Sequence, residues 1–106
     1  MRPMMMAMML GLSLAVTAAA QSPQAAKLYQ ARCAACHGAD GHAQGPAGKA
    51  LGVRDFSLPA VQDETDAQLA AVTAQGKGKM PAFAKQLSQA QIQDLVAYVR
   101  ALARKK

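Results

Sequence analysis

Residues 33–37 read C-A-A-C-H and are the most chemically specific segment of this 106-residue chain. Two thiols separated by two residues, with an imidazole directly after the second, are typical of covalent attachment of a c-type haem. The spacing lets Cys33 and Cys36 form thioethers with the two vinyl groups of a porphyrin. It also places His37 under the iron as an axial ligand. The motif therefore predicts one covalently bound haem c whose iron is ligated by His37.

Three other kinds of site could use the same residues. A dithiol redox pair also has the C-x-x-C spacing, but it expects a βαβ context that this sequence lacks. A zinc site could take four ligands that all lie within ten residues: Cys33, Cys36, His37 and His42. The sequence offers no second ligand cluster that such a site would hold together. A disulfide between the two cysteines would close too short a loop to stabilise the fold much. We expect haem attachment rather than any of these.

A second axial ligand is predicted at Met80, which is the only methionine after residue 9. Pro81 favours an extended backbone at Met80, so the segment G-K-G-K-M-P of residues 76–81 forms a loop that can lay a thioether over the iron. Methionine also fills apolar cores, but histidine with methionine is a known ligand pair of c-type haem. His42 follows His37 too closely to reach the opposite face, and we expect it in a solvated loop.

The elements that position these residues are predicted to be helices. Ser22 and Pro23 favour a helix start, and the helix should run to about residue 35 and end before Gly38. Residues 38–64 are rich in Gly and Pro and predict a loop with one helical turn near residues 47–51. We expect Phe56 and Leu58 to anchor this loop as apolar side chains.

Two capping boxes predict the remaining helices. Thr65 with Gln68 begins one helix, and Gly76 is a natural place for it to end. Ser88 begins the other, whose apolar residues recur at steps of three and four through residues 92–102. No strand pattern and no internal repeat occurs in the sequence, so the chain is predicted to be all-α.

Residues 1–20 have the order of a secretory signal: Arg2, an apolar run, and small residues ending at Ala20. We expect cleavage after Ala20, which would leave residues 21–106 as one small domain. The many methionines of this segment are expected to be apolar filler rather than a copper site. A permanent membrane span is not expected, because the run is short for one. Export then predicts a periplasmic protein.

With these motifs, residues 22–104 resemble the small single-haem class I cytochromes c of bacteria. The resemblance rests on the haem motif, on L-Y at residues 28–29, on G-P at 45–46, on G-K-M-P-A-F at 78–83 and on D-L-V-A-Y-V at 94–99. It implies an all-α cytochrome c fold, with three to four helices wrapped round one covalently bound haem. The first and last helices would cross, bringing together Ala25, Tyr29, Leu95 and Tyr98. The resemblance also implies that the carbonyl of Pro46 accepts a hydrogen bond from His37.

The implied function is one-electron transfer between redox proteins, without catalysis at the metal. An alternative is a haem enzyme, or a sensor of gas or peroxide, in which the bond to Met80 is labile. A third hypothesis is a metal-binding module without haem. The formal net charge is +6, and four lysines could surround the haem edge and steer the protein to an acidic partner: Lys49, Lys77, Lys79 and Lys85. The alternative is a solvated surface that serves solubility, because Asp63, Glu64 and Asp66 make the surface charge mixed. Nucleic-acid binding is not expected, since no recognition motif is present, and the expected state is a monomer.

Overall fold

Helices supply the regular structure of Gly11 and residues 22–105, which are the residues described by the computed structural model. Six helices are formed: α1 Pro23–Arg32, α2 Ala34–His37, α3 Pro46–Leu51, α4 Pro59–Gln62, α5 Asp66–Gln75 and α6 Gln89–Arg104. Within these residues there is no strand, and the one β-type pairing is a bridge between Lys77 and Met80. The prediction of an all-α fold is therefore confirmed. The predicted signal segment lies outside the described residues, Gly11 excepted.

The helices α5 and α6 begin where their capping boxes predict. The Thr65 hydroxyl accepts from the Gln68 amide, and the Gln68 side chain accepts from the Thr65 amide. Ser88 and Gln91 form the same reciprocal pair at the start of α6. Each box satisfies two backbone N–H groups that would otherwise lack partners in the first turn. None of the helices in the described part has the length and apolar character needed to span a bilayer.

The predicted first helix is interrupted at Cys33. α1 begins at Pro23 with Ser22 as its N-cap, as expected, but Cys33 leaves helical geometry with φ −120° and ψ −36°. The Cys33 carbonyl then accepts from the amides of Cys36 and His37, which starts the single turn of α2. The two thiols therefore lie on either side of a helix break rather than on one continuous helix.

α1 and α6 pack against each other beside the core, as the resemblance implies. Tyr29 is fully buried, and its ring lies 5.1 Å from that of Tyr98 at an angle of 44°. Ala25 is also buried on α1, and Leu95 on α6. Burial of each large side chain of this kind contributes about 1.5–3 kcal/mol relative to exposure.

Arg100 joins α6 to the segment that connects α4 and α5. Its guanidinium donates to the carbonyls of Gln62 and Glu64 and to the carboxylate of Asp66. Most of the Arg100 side chain is covered, with 18% exposed. Because these bonds hold the start of α5 against α6, they fix one side of the cavity described next.

Candidate functional site

A cavity of about 410 Å³ lies among the six helices and two loops, and it gathers four of the predicted site residues. Cys33, Cys36, His37 and Met80 all line it. The rest of the lining is mainly apolar, with contributions from α5, α6 and the loop of residues 51–56. This size and character are typical of sites for cofactor-sized ligands. The fifth predicted residue, Pro46, is not part of the lining.

The histidine side of the cavity is held by backbone contacts around α2. The Tyr29 hydroxyl donates to the Gly38 carbonyl at 2.6 Å, and the Ala43 amide donates to the His37 carbonyl at 2.9 Å. Gly48 of α3 approaches so closely that a Cβ there would lie 2.5 Å from the carbonyl oxygen of Cys36. Only glycine lets α3 pack against α2 at this distance.

The protonation of His37 suits a metal ligand. Burial lowers the pKa of His37 below its usual value, and the nearby charge of Arg54 lowers it further. Since the usual value is about 6.5, the imidazole is neutral at pH 7. A neutral imidazole nitrogen is the form that binds iron.

The two cysteines are both free, as covalent attachment requires. Burial, followed by the influence of Cys36, raises the pKa of the Cys33 thiol to about 11. Cys33 is therefore a protonated thiol at neutral pH in the absence of a bound group. Within the described residues, no group of three or more His, Cys, Asp and Glu side chains is placed to hold a metal ion. The zinc alternative therefore has no support there.

Met80 reaches the cavity from a tight turn after α5. The amide of Lys77 donates to the Met80 carbonyl, and the amide of Met80 donates to the Lys77 carbonyl. Beyond the turn, the amides of Phe83 and Ala84 donate to two carbonyls in the last turn of α5. Gly76 has φ +77°, and a Cβ there would lie 2.7 Å from the Met80 carbonyl oxygen. The loop is non-helical at Met80, as Pro81 predicts.

The hydrogen bond predicted from His37 to the carbonyl of Pro46 is not formed. The Nδ1 atom of His37 is buried and has no hydrogen-bond partner in the described part of the chain. Pro46 is the first residue of α3, where carbonyls point along the helix axis toward the following turn. This orientation directs the Pro46 carbonyl into its own helix.

The prediction for His42 is correct in placing it in a loop, but the side chain is not free in solvent. Its side chain is only 30% exposed, and its Nδ1 lies 3.0 Å from Asp55 Oδ1. Asp55 in turn accepts from the amide and hydroxyl of Ser57. His42 therefore helps to close the loop that carries Phe56 rather than lying free in solvent.

Sequence reasoning did not identify Arg54 and Glu64 as part of the site. Both line the cavity, and both terminal nitrogens of Arg54 lie 3.4 Å from Glu64 Oε1. Glu64 Oε2 is buried without a partner among the described residues. No motif marks either residue, because their proximity depends on how the connection between α3 and α5 folds back.

The residues present fit a haem c. An apolar cavity of this size, two free thiols and a neutral imidazole with the required spacing are the donor set that such a group needs. A thioether faces the same space. Cys33 and Cys36 would hold the porphyrin, with His37 and Met80 available to the iron.

Comparison with known proteins supports the same assignment. Residues 20–99 match the family described as cytochrome c oxidase, cbb3-type, subunit III. The chain is 38% identical to cytochrome c6 of Leptolyngbya boryana over 73 residues, which are 69% of this chain and 82% of the relative. It is 41% identical over 81 residues to cytochrome c6 of Nostoc sp., covering 76% of this chain and 70% of the relative.

A solved structure shares the fold. The KustC0563 c-type cytochrome superposes with a TM-score of 0.68 at 30% sequence identity. The match covers 74% of this chain and 95% of that protein. Nearly the whole of the solved domain therefore has a counterpart here.

Proposed function

Because this chain belongs to the small class I c-type cytochromes, we propose that it carries single electrons through a haem c ligated by His37 and Met80. The cofactor of the family is a covalently bound haem c with iron, and the chain is an electron carrier rather than an enzyme. The observation that supports the ligand pair is that His37 and Met80 line the same cavity. When bound, the haem supplies an iron that alternates between two oxidation states.

The protein's own contribution is to hold two ligands and to exclude water. The tight turn at Lys77 and Met80 and the amides of Phe83 and Ala84 fix the thioether side. The apolar lining favours the less charged state of the iron, and so does a neutral thioether ligand; both raise the reduction potential. If His37 and Met80 both held the iron, no position would remain open for a substrate, which suits electron transfer without catalysis at the metal.

A spectrum of the purified holoprotein tests this proposal. Reduced protein should show the sharp visible bands of low-spin c-type haem, and the colour should stay with the protein through acid–acetone extraction. Met80→Ala should convert the ferric spectrum toward high spin. Replacement of the neighbouring exposed residue Lys79 by Gln should not. An unchanged spectrum in Met80→Ala would reject Met80 as ligand and favour the enzyme or sensor alternative. Loss of colour on extraction would reject covalent attachment.

We further propose that partners dock at the lysines beside Met80. Lys77 and Lys79 line the mouth of the cavity and are exposed, whereas Lys49 and Lys85 are exposed but lie outside the lining. Positive charge at this mouth would attract acidic redox proteins and speed their encounter. The proposed state is a monomer of residues 21–106 in the periplasm, after removal of residues 1–20.

Small redox complexes of opposite charge test the docking proposal. At low salt, replacing Lys77 and Lys79 together by Gln should slow reduction of ferricyanide several-fold and leave or raise the rate with a cationic cobalt complex. The matched control replaces Lys27 and Lys105, which are exposed and away from the cavity. High salt should remove the difference. Equal rates for both pairs of variants would contradict a role for these lysines in steering.

Mass spectrometry of the periplasmic holoprotein locates the cleavage site.

A further inference from the structure

We infer that Glu64 adjusts the reduction potential from within the cavity wall. Its carboxylate, paired with Arg54, stabilises the oxidised iron and keeps the potential below the value that the apolar lining alone would give. Arg100 is the positioning residue for that carboxylate. The inference rests on the proposed electron transfer through a haem ligated by His37 and Met80, and it names residues that set the driving force of that reaction.

The lining of the cavity is unevenly charged. Within the described part of the chain, Glu64 is the one acidic residue of the lining, which also contains four basic residues: Arg32, Arg54, Lys77 and Lys79. Both terminal nitrogens of Arg54 lie 3.4 Å from Glu64 Oε1. The Glu64 side chain is 26% exposed and that of Arg54 is 46% exposed. The carboxylate is therefore the better covered member of the pair, and its charge is screened less by solvent.

The two charges of the pair act on the iron in opposite directions. Oxidised iron carries one more positive charge than reduced iron, so a nearby carboxylate favours the oxidised state and a nearby guanidinium disfavours it. Burial is the first cause of the lowered pKa of His37, and the charge of Arg54 is the second. A charge at this wall therefore acts at the histidine ligand, and Glu64 offsets the effect of Arg54 there.

Hydrogen bonds from α6 hold the two segments that carry the pair. Arg100 Nη2 donates to the Glu64 carbonyl at 2.5 Å, and Arg100 Nη1 donates to the carbonyl and the side chain of Gln62. The Gln62 side chain donates in turn to the carbonyl of Phe56, two residues after Arg54. Arg100 therefore joins the segment of Glu64 to the loop of Arg54 and keeps the carboxylate at the cavity.

Equilibration of the purified holoprotein with a redox couple of known potential tests the role of the pair. We expect Glu64→Gln to shift the equilibrium several-fold toward reduced protein. Asp63→Asn is the matched control and should shift it much less, because Asp63 is adjacent but exposed and outside the cavity lining. Arg54→Gln should shift the equilibrium toward oxidised protein. Arg54→Lys keeps the charge and should remain near the value of the unmodified protein.

Arg100→Lys tests the positioning role without a change of net charge. Loss of the bond to the Glu64 carbonyl should let the carboxylate turn toward solvent, so the equilibrium should shift toward reduced protein, by less than in Glu64→Gln. In a protein that already contains Glu64→Gln, the same substitution should add no such shift. Arg104→Lys, at the exposed end of α6, is the control. A loosened cavity that admitted water would shift the equilibrium the opposite way, because water favours the oxidised iron.

The outcomes separate this inference from the proposed function. A non-covalent or high-spin haem in the unmodified protein would overturn both. Normal low-spin haem with an unchanged equilibrium in Glu64→Gln, or an equal shift in Asp63→Asn, would overturn the role of Glu64 alone. A shift toward oxidised protein in Arg100→Lys, repeated in the presence of Glu64→Gln, would overturn the positioning role. If Glu64→Gln fails to fold, Glu64→Ala also removes the charge and should shift the equilibrium in the same direction.

Discussion

The two sides of the cavity are built differently, although each presents one candidate ligand. On the histidine side, His37 lies in a helical turn and stacks on Phe56, while the close approach of α3 to α2 and the bond from Tyr29 to Gly38 hold that turn in place. On the methionine side, Met80 sits in a turn held mainly by its own backbone and by two amides bonded to α5.

The difference concerns what each side depends on. The histidine side relies on packing between separate elements. Substitutions there should therefore mainly lower the free energy of unfolding. The methionine side relies on one tight turn. Substitutions there should therefore mainly weaken ligation by Met80 and lower the free energy of unfolding less. Each prediction below tests one part of this contrast, and they run from the largest expected effect to the smallest.

Gly48→Ala should cause the largest loss of stability. The new Cβ would lie 2.5 Å from the Cys36 carbonyl oxygen and 2.6 Å from that of Ala43. Alanine favours a helix over glycine by about 1 kcal/mol, but the clash involves backbone on both sides and should cost about 3 kcal/mol. We therefore expect a net fall of about 2 kcal/mol or more in the free energy of unfolding, measured in denaturant.

Gly45→Ala is the matched control for Gly48→Ala. Gly45 is the N-cap of the same short helix, and a Cβ there would meet nothing within 4 Å. Alanine replaces glycine as N-cap at a cost of a few tenths of a kcal/mol. Equal stabilities of the two variants would show that α2 and α3 are free to separate, contrary to the close packing described.

Gly76→Ala should affect the methionine ligand first. The Cβ would lie 2.7 Å from the Met80 carbonyl oxygen, and the backbone φ of +77° adds strain of about 1–3 kcal/mol. Because the whole turn must shift, we expect the weak far-red absorption band of methionine-ligated ferric haem to be largely lost. The free energy of unfolding should fall only modestly. Gly78→Ala also has a positive φ, of +57°, but open space around it, and it should keep the band. Retention of the band in Gly76→Ala would contradict the role of this turn in positioning Met80.

This contrast also explains what the sequence could and could not predict. The first residues of α5 and α6 follow from capping boxes, and the cavity members Cys33, His37 and Met80 follow from local motifs. These features depend on residues within a few positions of one another. α4 was missed, since Pro59–Gln62 is a single turn in a segment rich in loop-forming residues.

The residues that sequence analysis misjudged depend on long-range contacts. His42 pairs with Asp55 only because the chain folds back over thirteen residues. Phe56 and Leu58 were both predicted as anchors, but Leu58 is 46% exposed, so the prediction is wrong for that residue. The contact of Phe56 with His37 requires the same return of the chain. The geometry of Pro46 follows from the position at which α3 begins, which a loop prediction does not determine.

Tyr29→Phe should destabilise the histidine side by a smaller amount. The hydroxyl is removed from a fully buried ring, and the Gly38 carbonyl loses its 2.6 Å hydrogen bond. A lost hydrogen bond that leaves a buried acceptor costs about 1–2 kcal/mol. Tyr98→Phe is the control, because it removes a hydroxyl from a half-buried ring in the same aromatic pair. We expect thermal unfolding to separate the two variants, and a larger loss in Tyr98→Phe would contradict the importance assigned to the Gly38 contact.

Asp55→Asn should have the smallest effect, and it should depend on pH. The hydroxyl of Ser57 lowers the pKa of Asp55, with further contributions from the Ser57 amide and from His42. A carboxyl whose pKa is lowered by folding stabilises the protein above the pKa of the unfolded chain, which is about 3.9, and loses that contribution as the pH falls through the lower folded value. The unmodified protein should therefore be more stable than Asp55→Asn above about pH 5, by less than about 1 kcal/mol because the pair is partly exposed. The difference should shrink below about pH 4. Replacement of the exposed Asp63 by Asn is the control and should show no such trend with pH. If the difference between Asp55→Asn and the unmodified protein grew at low pH, the protonated form of Asp55 would be the stabilising one, contrary to this prediction.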